Sequence, residues 1–184
     1  PRPPARHHSL WDACPAPARS PAPACVLLQA LLPASRSPVH RQQNVGVGRS
    51  AIAASAYLSC SRLYNDYDGI QHDYTKKQGL VWQEVFLPAM APPEWKDREQ
   101  LWNAVEEVET AKDSRLAREF VVALPIELSR TEQIELLQEF IQGQFVADGM
   151  CADAAIHDTD GHNPHAHILL TVRPLDERGK WQYK

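Results

Sequence analysis

The stretch His157-Asp158-Thr159-Asp160-Gly161-His162-Asn163-Pro164-His165-Ala166-His167 places four histidines in eleven positions and runs the last two into Ile168-Leu169-Leu170. Alternate residues of a strand share a face, so imidazoles at 165 and 167 point the same way and can reach one ion. If the preceding strand pairs antiparallel across the turn, His157 at its end comes up opposite them. Three nitrogen donors that leave coordination positions open are the arrangement of a catalytic metal site rather than a structural one. An all-imidazole set accepts zinc, manganese, cobalt or nickel, and a phosphate substrate can recruit magnesium; spacing alone does not choose among them. His162 lies in the turn itself, where it is expected to face solvent or support a ligand. The competing reading is a chance grouping on a solvated hairpin.

The elements that must position these residues emerge from periodicity. Cys151 to His157 and His165 to Val172 read as two strands joined by the Asp-Thr-Asp-Gly-His-Asn-Pro turn. Leu80 to Leu87 and Arg118 to Leu124, each closed by a proline, read as further strands. Ser50 is a plausible N-cap for an Ala-rich helix running through Ala51-Ile52-Ala53-Ala54-Ser55-Ala56-Tyr57 toward Tyr64. Gln71 to Tyr74 is a short extended piece. Pro92 and Pro93 introduce a helix from about Glu94 to Ala111, with Trp95, Leu101, Trp102, Val105 and Val108 as its buried stripe. Ser129 with Glu132 makes a capping box for a third helix carrying Ile134, Leu137, Ile141 and Phe145 and stopping at Gly149. Strands and helices mix without a strict βαβ rhythm, which predicts an α+β fold: an antiparallel central sheet with helices packed on one face.

The 184 residues carry 43% hydrophobic side chains and a mean hydropathy of -0.42, consistent with one globular domain and a modest core. The longest apolar run, Ala24 to Leu32, is far shorter than the roughly 20 residues that cross a bilayer. Cys14, Cys25, Cys60 and Cys151 form no CxxC pair, so neither a zinc ribbon nor a disulfide framework is signalled, and a reducing cytoplasm is expected. A net charge of -4 argues against a basic nucleic-acid coat but not against an enzyme holding one strand at a local patch. Residues 1–45 read as a separate segment: nine of the fifteen prolines fall before residue 44, among Ala, Arg and Ser without a structural period, and either disorder or sequence foreign to the domain is expected there.

Taken together, His157-Asp158, Asn163-Pro164-His165-Ala166-His167-Ile168-Leu169-Leu170, Gly48-Arg49-Ser50-Ala51-Ile52-Ala53-Ala54-Ser55-Ala56-Tyr57, His72-Asp73-Tyr74-Thr75-Lys76-Lys77 and Leu116-Ala117-Arg118-Glu119 with Ala123-Leu124-Pro125 resemble the motifs of the MobA/MobL-type (MOBQ, TraA-like) relaxases. These are HUH-class endonucleases that start plasmid mobilisation. The resemblance covers roughly residues 46–184, in the family's order. It implies an HUH relaxase-like fold with a palm-type sheet and a metal-dependent nickase that cuts one DNA strand at an origin of transfer.

On that resemblance Tyr57 is the nucleophile, forming a covalent 5′-phosphotyrosyl link that conserves the bond for strand transfer. His157, His165 and His167 hold a divalent metal, whether manganese, magnesium or zinc. Glu119 and Asp73 are candidate acids for accepting the tyrosine proton or orienting a ligand histidine. Arg49, Arg62, Lys76 and Lys77 are candidates for contacts to single-stranded DNA. The resemblance also implies relaxosome accessory proteins, a bacterial cytoplasm and no membrane. Read from the residues alone, Tyr57 could equally be a helix tyrosine with its ring in the core.

Three departures carry expectations. Relatives often have a second acid two residues after the equivalent of Glu119, where this chain has Val121. Relatives open with a short apolar strand ahead of the nucleophile helix, and nothing in residues 1–45 matches it; Leu27 to Leu32 or Val45 to Val47 would substitute poorly, leaving an unpaired sheet edge. Relatives continue beyond the histidine strand, so the catalytic domain is expected to be C-terminally incomplete here. Two other readings stay open: an inactive relaxase fragment with residual metal or DNA binding, and a metal-dependent phosphoester hydrolase with no covalent intermediate.

Overall fold

The computed structural model describes residues 41–46, 50–111 and 114–183. Strands β1 (Arg41–Gly46), β4 (Leu80–Phe86), β5 (Arg115–Ala123), β6 (Ala152–His157) and β7 (His165–Thr171) form one antiparallel sheet in the order β1-β5-β7-β6-β4. Strands β2 (Arg62–Tyr64) and β3 (Gln71–Asp73) make a separate hairpin. Among the described residues the α-helices are α1 (Ala51–Leu58), α2 (Arg98–Val108) and α3 (Arg130–Gln144). The α+β expectation holds, with helices packed on an antiparallel sheet.

The helices cover both faces of that sheet, not one. Helix α3 packs Leu137 and Ile141 against Phe86, Val122, Ala154, Ile156, Ala166 and Ile168. Helices α1 and α2 pack Ile52, Ala56, Leu101 and Trp102 against Ala117, Ala155 and Leu169 on the other face. Strand β6 is therefore buried at every position. A strand covered on both sides reads as a continuous apolar run, as Ala152 to Ile156 does apart from Asp153.

Boundaries of all three helices differ from the periodic reading; α3 ends at Gln144 and gives way to a 3-10 turn over Val146–Asp148 before Gly149. The segment after Pro92 is a 3-10 turn over Pro93–Lys96 followed by α2, because Asp97 breaks the run and caps α2 by accepting from Glu99 N and Gln100 N. Val108, expected in the buried stripe, is 39% exposed at the end of α2. Helix α1 stops at Leu58 instead of running to Tyr64, and Arg62–Tyr64 becomes β2. The stop is a Schellman-type closure: Ser61 N donates to Ala56 O and Cys60 N to Tyr57 O, with Cys60 in the left-handed region at φ 51. That conformation costs a non-glycine residue roughly 1 kcal/mol. Cys60→Gly is expected to stabilise the domain by up to about 1 kcal/mol, seen as a higher urea midpoint at unchanged slope; a lower midpoint would mean that the Cys60 side chain contributes more than the strain removes.

The front of the chain also corrects the sequence reading. Arg41 to Gly46 forms a strand that pairs residue for residue with β5, from Arg41 opposite Val121 to Gly46 opposite Arg115, with one irregularity after Val45. Ladder hydrogen bonds need only backbone, so polar Arg-Gln-Gln-Asn serves at a sheet edge where an apolar strand was sought. Residues 41–45 thus belong to the sheet and not to a disordered segment; residues 1–40, including Leu27 to Leu32, Cys14 and Cys25, lie outside the described residues.

Candidate active site

Strands β6 and β7 pair with His157 directly opposite His165 and Ala155 opposite His167. The three rings cluster on the α1 face of the sheet, with centroids 6.0 Å apart for His157 and His165, and 5.3 Å from His167 to each of the others. The hairpin turn is tied down by Asp158, whose Oδ2 accepts from Arg130 at 2.7 Å while Oδ1 accepts from Gly161 N. His162 is exposed in that turn.

Each ring has one nitrogen committed and one lone pair left. His165 Nδ1–H donates to Asn163 O at 2.8 Å and His167 Nδ1–H to Glu119 Oε1 at 2.8 Å, so in both the lone pair is on Nε2. His157 Nε2–H donates to the Leu58 carbonyl at 2.6 Å, leaving its lone pair on Nδ1. Burial is the main cause that lowers the His157 pKa to about 4, with the Lys77 charge adding to it, so the ring is neutral at neutral pH. Three imidazoles, each with one ring nitrogen held by a hydrogen bond, are the donor type that a divalent transition metal takes. Among the described residues, however, no three His, Cys, Asp or Glu side chains stand in an arrangement that could hold a metal ion as they are. The Nζ of Lys77 lies 3.1 Å from His157 Nδ1 instead.

The Leu58 carbonyl joins this cluster to the helix that carries Tyr57. Tyr57 is 46% exposed, edge-on to Tyr74 at 5.3 Å, with Lys77 Nζ 4.5 Å from its ring centroid. A core role for this tyrosine is excluded by that exposure.

An eight-residue helix is too short to persist alone, so α1 must be held by its surroundings. Glu106, buried on α2, accepts from Ala51 N (2.7 Å), Ile52 N (3.2 Å) and Ser50 Oγ (2.8 Å), and Asn65 Nδ2 donates to its other oxygen at 2.9 Å. The carboxylate thereby satisfies free N–H groups at the positive end of the helix. Half-way along, Ser55 Oγ donates to Asp153 Oδ2 at 2.6 Å; Trp102 Nε1 donates to the same oxygen at 3.1 Å and Arg98 Nε to Oδ1 at 2.8 Å. With His157 at the last carbonyl, the helix is fastened at three levels. Sequence reading missed Glu106, Asn65, Ser55 and Asp153. The available signal was an acid in an otherwise apolar strand at 153, and one a helical turn from Trp102 at 106.

The two candidate acids separate. Glu119 reaches the cluster and orients His167. Asp73 is not brought into it: its carboxylate pairs with Arg62 Nη2 at 2.7 Å and accepts from Thr75 N and Oγ1. Those bonds, Thr75 first, hold its pKa at about 2, well below the usual 3.8. A depressed carboxylate stabilises its bonded loop above its unfolded value, and the contribution is lost as pH falls from about 4 through 2. By NMR titration the Asp73 midpoint is expected near 2, rising more in Thr75→Ala than in Arg62→Ala; the reverse order would make the ion pair dominant. Of the basic candidates, Arg62 is committed to Asp73, Lys76 is exposed, Lys77 turns inward, and Arg49 lies outside the described residues.

Residues 49–184 match the MobA/MobL family. The chain belongs to it. A conjugal transfer protein TraA of Rhizobium radiobacter is 40% identical over 143 residues, 72% of this chain and 13% of that protein. A probable mobilization protein MobA of Bifidobacterium longum is 38% identical over 136 residues, 73% of this chain and 24% of that protein. The chain therefore spans a minor part of these MobA/MobL relatives. A solved structure described as the molecular basis of vancomycin resistance transfer in Staphylococcus aureus is 38% identical, with a TM-score of 0.75 over 81% of this chain and 77% of that one. The α+β sheet is that of an HUH-type relaxase. Among the described residues no helix is long and apolar enough to cross a membrane.

Proposed function

We propose that this chain carries the catalytic region of a plasmid-mobilisation relaxase: it nicks one DNA strand at an origin of transfer through Tyr57 and a divalent metal, and transfers the strand. The observation that carries the reading is the hydrogen bond from His157 to the Leu58 carbonyl, which sets the histidine cluster one residue from an exposed tyrosine. The Tyr57 Oη attacks the scissile phosphorus, the P–O3′ bond breaks, and the 5′ end stays on the tyrosine while a 3′-hydroxyl is released. The phosphodiester bond is conserved, so a 3′-hydroxyl can later reverse the step.

His157, His165 and His167 would hold the ion, whether manganese, magnesium or zinc. Bound there, it supplies Lewis-acid polarisation of the phosphate and neutralises developing charge. Glu119 acts through His167, fixing its tautomer and ring orientation. The exposed rings of Tyr64 and Tyr67, on the hairpin that follows α1, with Lys76 near them in sequence, offer stacking and charge to a single DNA strand. Relaxosome proteins in a bacterial cytoplasm are the partners that this reading carries.

Calorimetric titration of manganese tests the metal. One site is expected in the full chain, absent in His165→Ala/His167→Ala and about 10- to 100-fold weaker in Glu119→Ala, the usual effect of removing the partner that orients a ligand histidine. Equal affinity in Glu119→Ala would remove Glu119 from the site.

A further inference from the structure

We infer that Lys77 is a resident cation of the histidine site, occupying the His157 lone pair and competing there with a divalent ion. The inference rests on the metal reading above. Because His157 Nε2–H is committed to the Leu58 carbonyl, Nδ1 is an acceptor, and the Lys77 ammonium 3.1 Å away donates to it. The same ammonium lies 4.5 Å from the Tyr57 ring centroid and 3.8 Å from Cys60 Sγ.

Lys76 and Lys77 are neighbours in one turn, yet Lys76 is exposed and Lys77 is half-buried over the tyrosine. A lysine that needs only solvation keeps its head in water. This one points its charge at an imidazole lone pair and an aromatic face, both of which favour a cation. One lone pair serves one cation at a time, and two cations this close repel in a partly desolvated site. Ion binding at all three imidazoles therefore requires the ammonium to leave His157, and the apparent affinity is reduced by the fraction of protein in which it has not left. The long side chain lets the displaced ammonium stay beside Tyr57, within the roughly 6 Å over which an aromatic face attracts a cation.

The test is calorimetric titration of manganese alone into the full chain and the variants Lys77→Met, Lys77→Arg and His165→Ala/His167→Ala. Met keeps an unbranched stem against Tyr57 without the charge, and Arg keeps a charge. The expected result is one site in the unaltered chain, lost in the double histidine variant, about tenfold tighter in Lys77→Met and within about threefold of the unaltered chain in Lys77→Arg, because only Met removes the competitor. Affinity in Lys77→Met equal to or weaker than in the unaltered chain overturns the inference and leaves the metal site standing. Tightening in both Lys77→Met and Lys77→Arg overturns it too, since charge would then not be the cause. The absence of any site in all four proteins overturns the metal reading itself.

Discussion

Tyr57→Phe is expected to abolish the covalent protein–DNA adduct and to lower strand cleavage by at least about 10³-fold, the scale on which enzymes respond to loss of a nucleophile. The fold should not notice. The ring is almost half in water, its edge-on packing against Tyr74 survives in Phe, and the cation over its face does not depend on the hydroxyl. Stability is therefore expected to stay within about 0.5 kcal/mol, as for other surface changes. Manganese binding should also be retained, since the tyrosine is not among the three imidazole donors. A variant that cleaves DNA normally would take the nucleophile's role away from Tyr57.

Asp153→Ala is expected to be the most damaging single change to the fold, at about 3–5 kcal/mol, the usual consequence of stripping one partner from a buried ion pair. It leaves Ser55 Oγ, Trp102 Nε1 and Arg98 Nε without their shared acceptor in a fully buried position. Burial alone pushes the Asp153 carboxyl pKa up, and Arg98, Ser55 and Trp102 pull against it, so the acid depends on all three donors. Ser55→Ala removes one neutral hydrogen bond and is expected to cost only about 1 kcal/mol. Urea unfolding measures both. A domain of ordinary stability, about 5–15 kcal/mol, would be left by the Asp153 change close to unfolding at room temperature. A loss below about 1 kcal/mol would mean that water replaces the carboxylate and that α1 is held by its other two anchors.

The parts of the site legible in the sequence are those set by local periodicity. His165 and His167 share a face because strands alternate, and a seven-residue connection brings His157 opposite His165. The Ser129–Glu132 capping box is equally local, and both of its hydrogen bonds are present. What escaped the sequence depends on contacts across the chain. Lys77 reads as one of two solvated turn lysines, and only the tertiary fold turns it onto His157 across 80 positions. Glu106 reads as one carboxylate of a surface helix until α1 is docked on it, 55 positions away from Ala51. Strand β1 has no apolar signature because an edge strand is specified by its partner's backbone, so Arg41–Gly46 became visible only opposite β5. Helices were expected on one face only; the unalternating Cys151 to Ile156 was the available sign of a strand covered on both, though it does not say which helix covers which side.

Peptide mass spectrometry on the chain incubated with manganese and a pool of single-stranded oligonucleotides, then digested with nuclease, asks the central question most directly. A nucleotide-5′-phosphate mass on the peptide holding Tyr57, absent in Tyr57→Phe and in His165→Ala/His167→Ala, is the outcome expected of a phosphotyrosyl relaxase built on this hairpin. Cleaved DNA with no mass added to Tyr57, and cleavage undiminished in Tyr57→Phe, would contradict it.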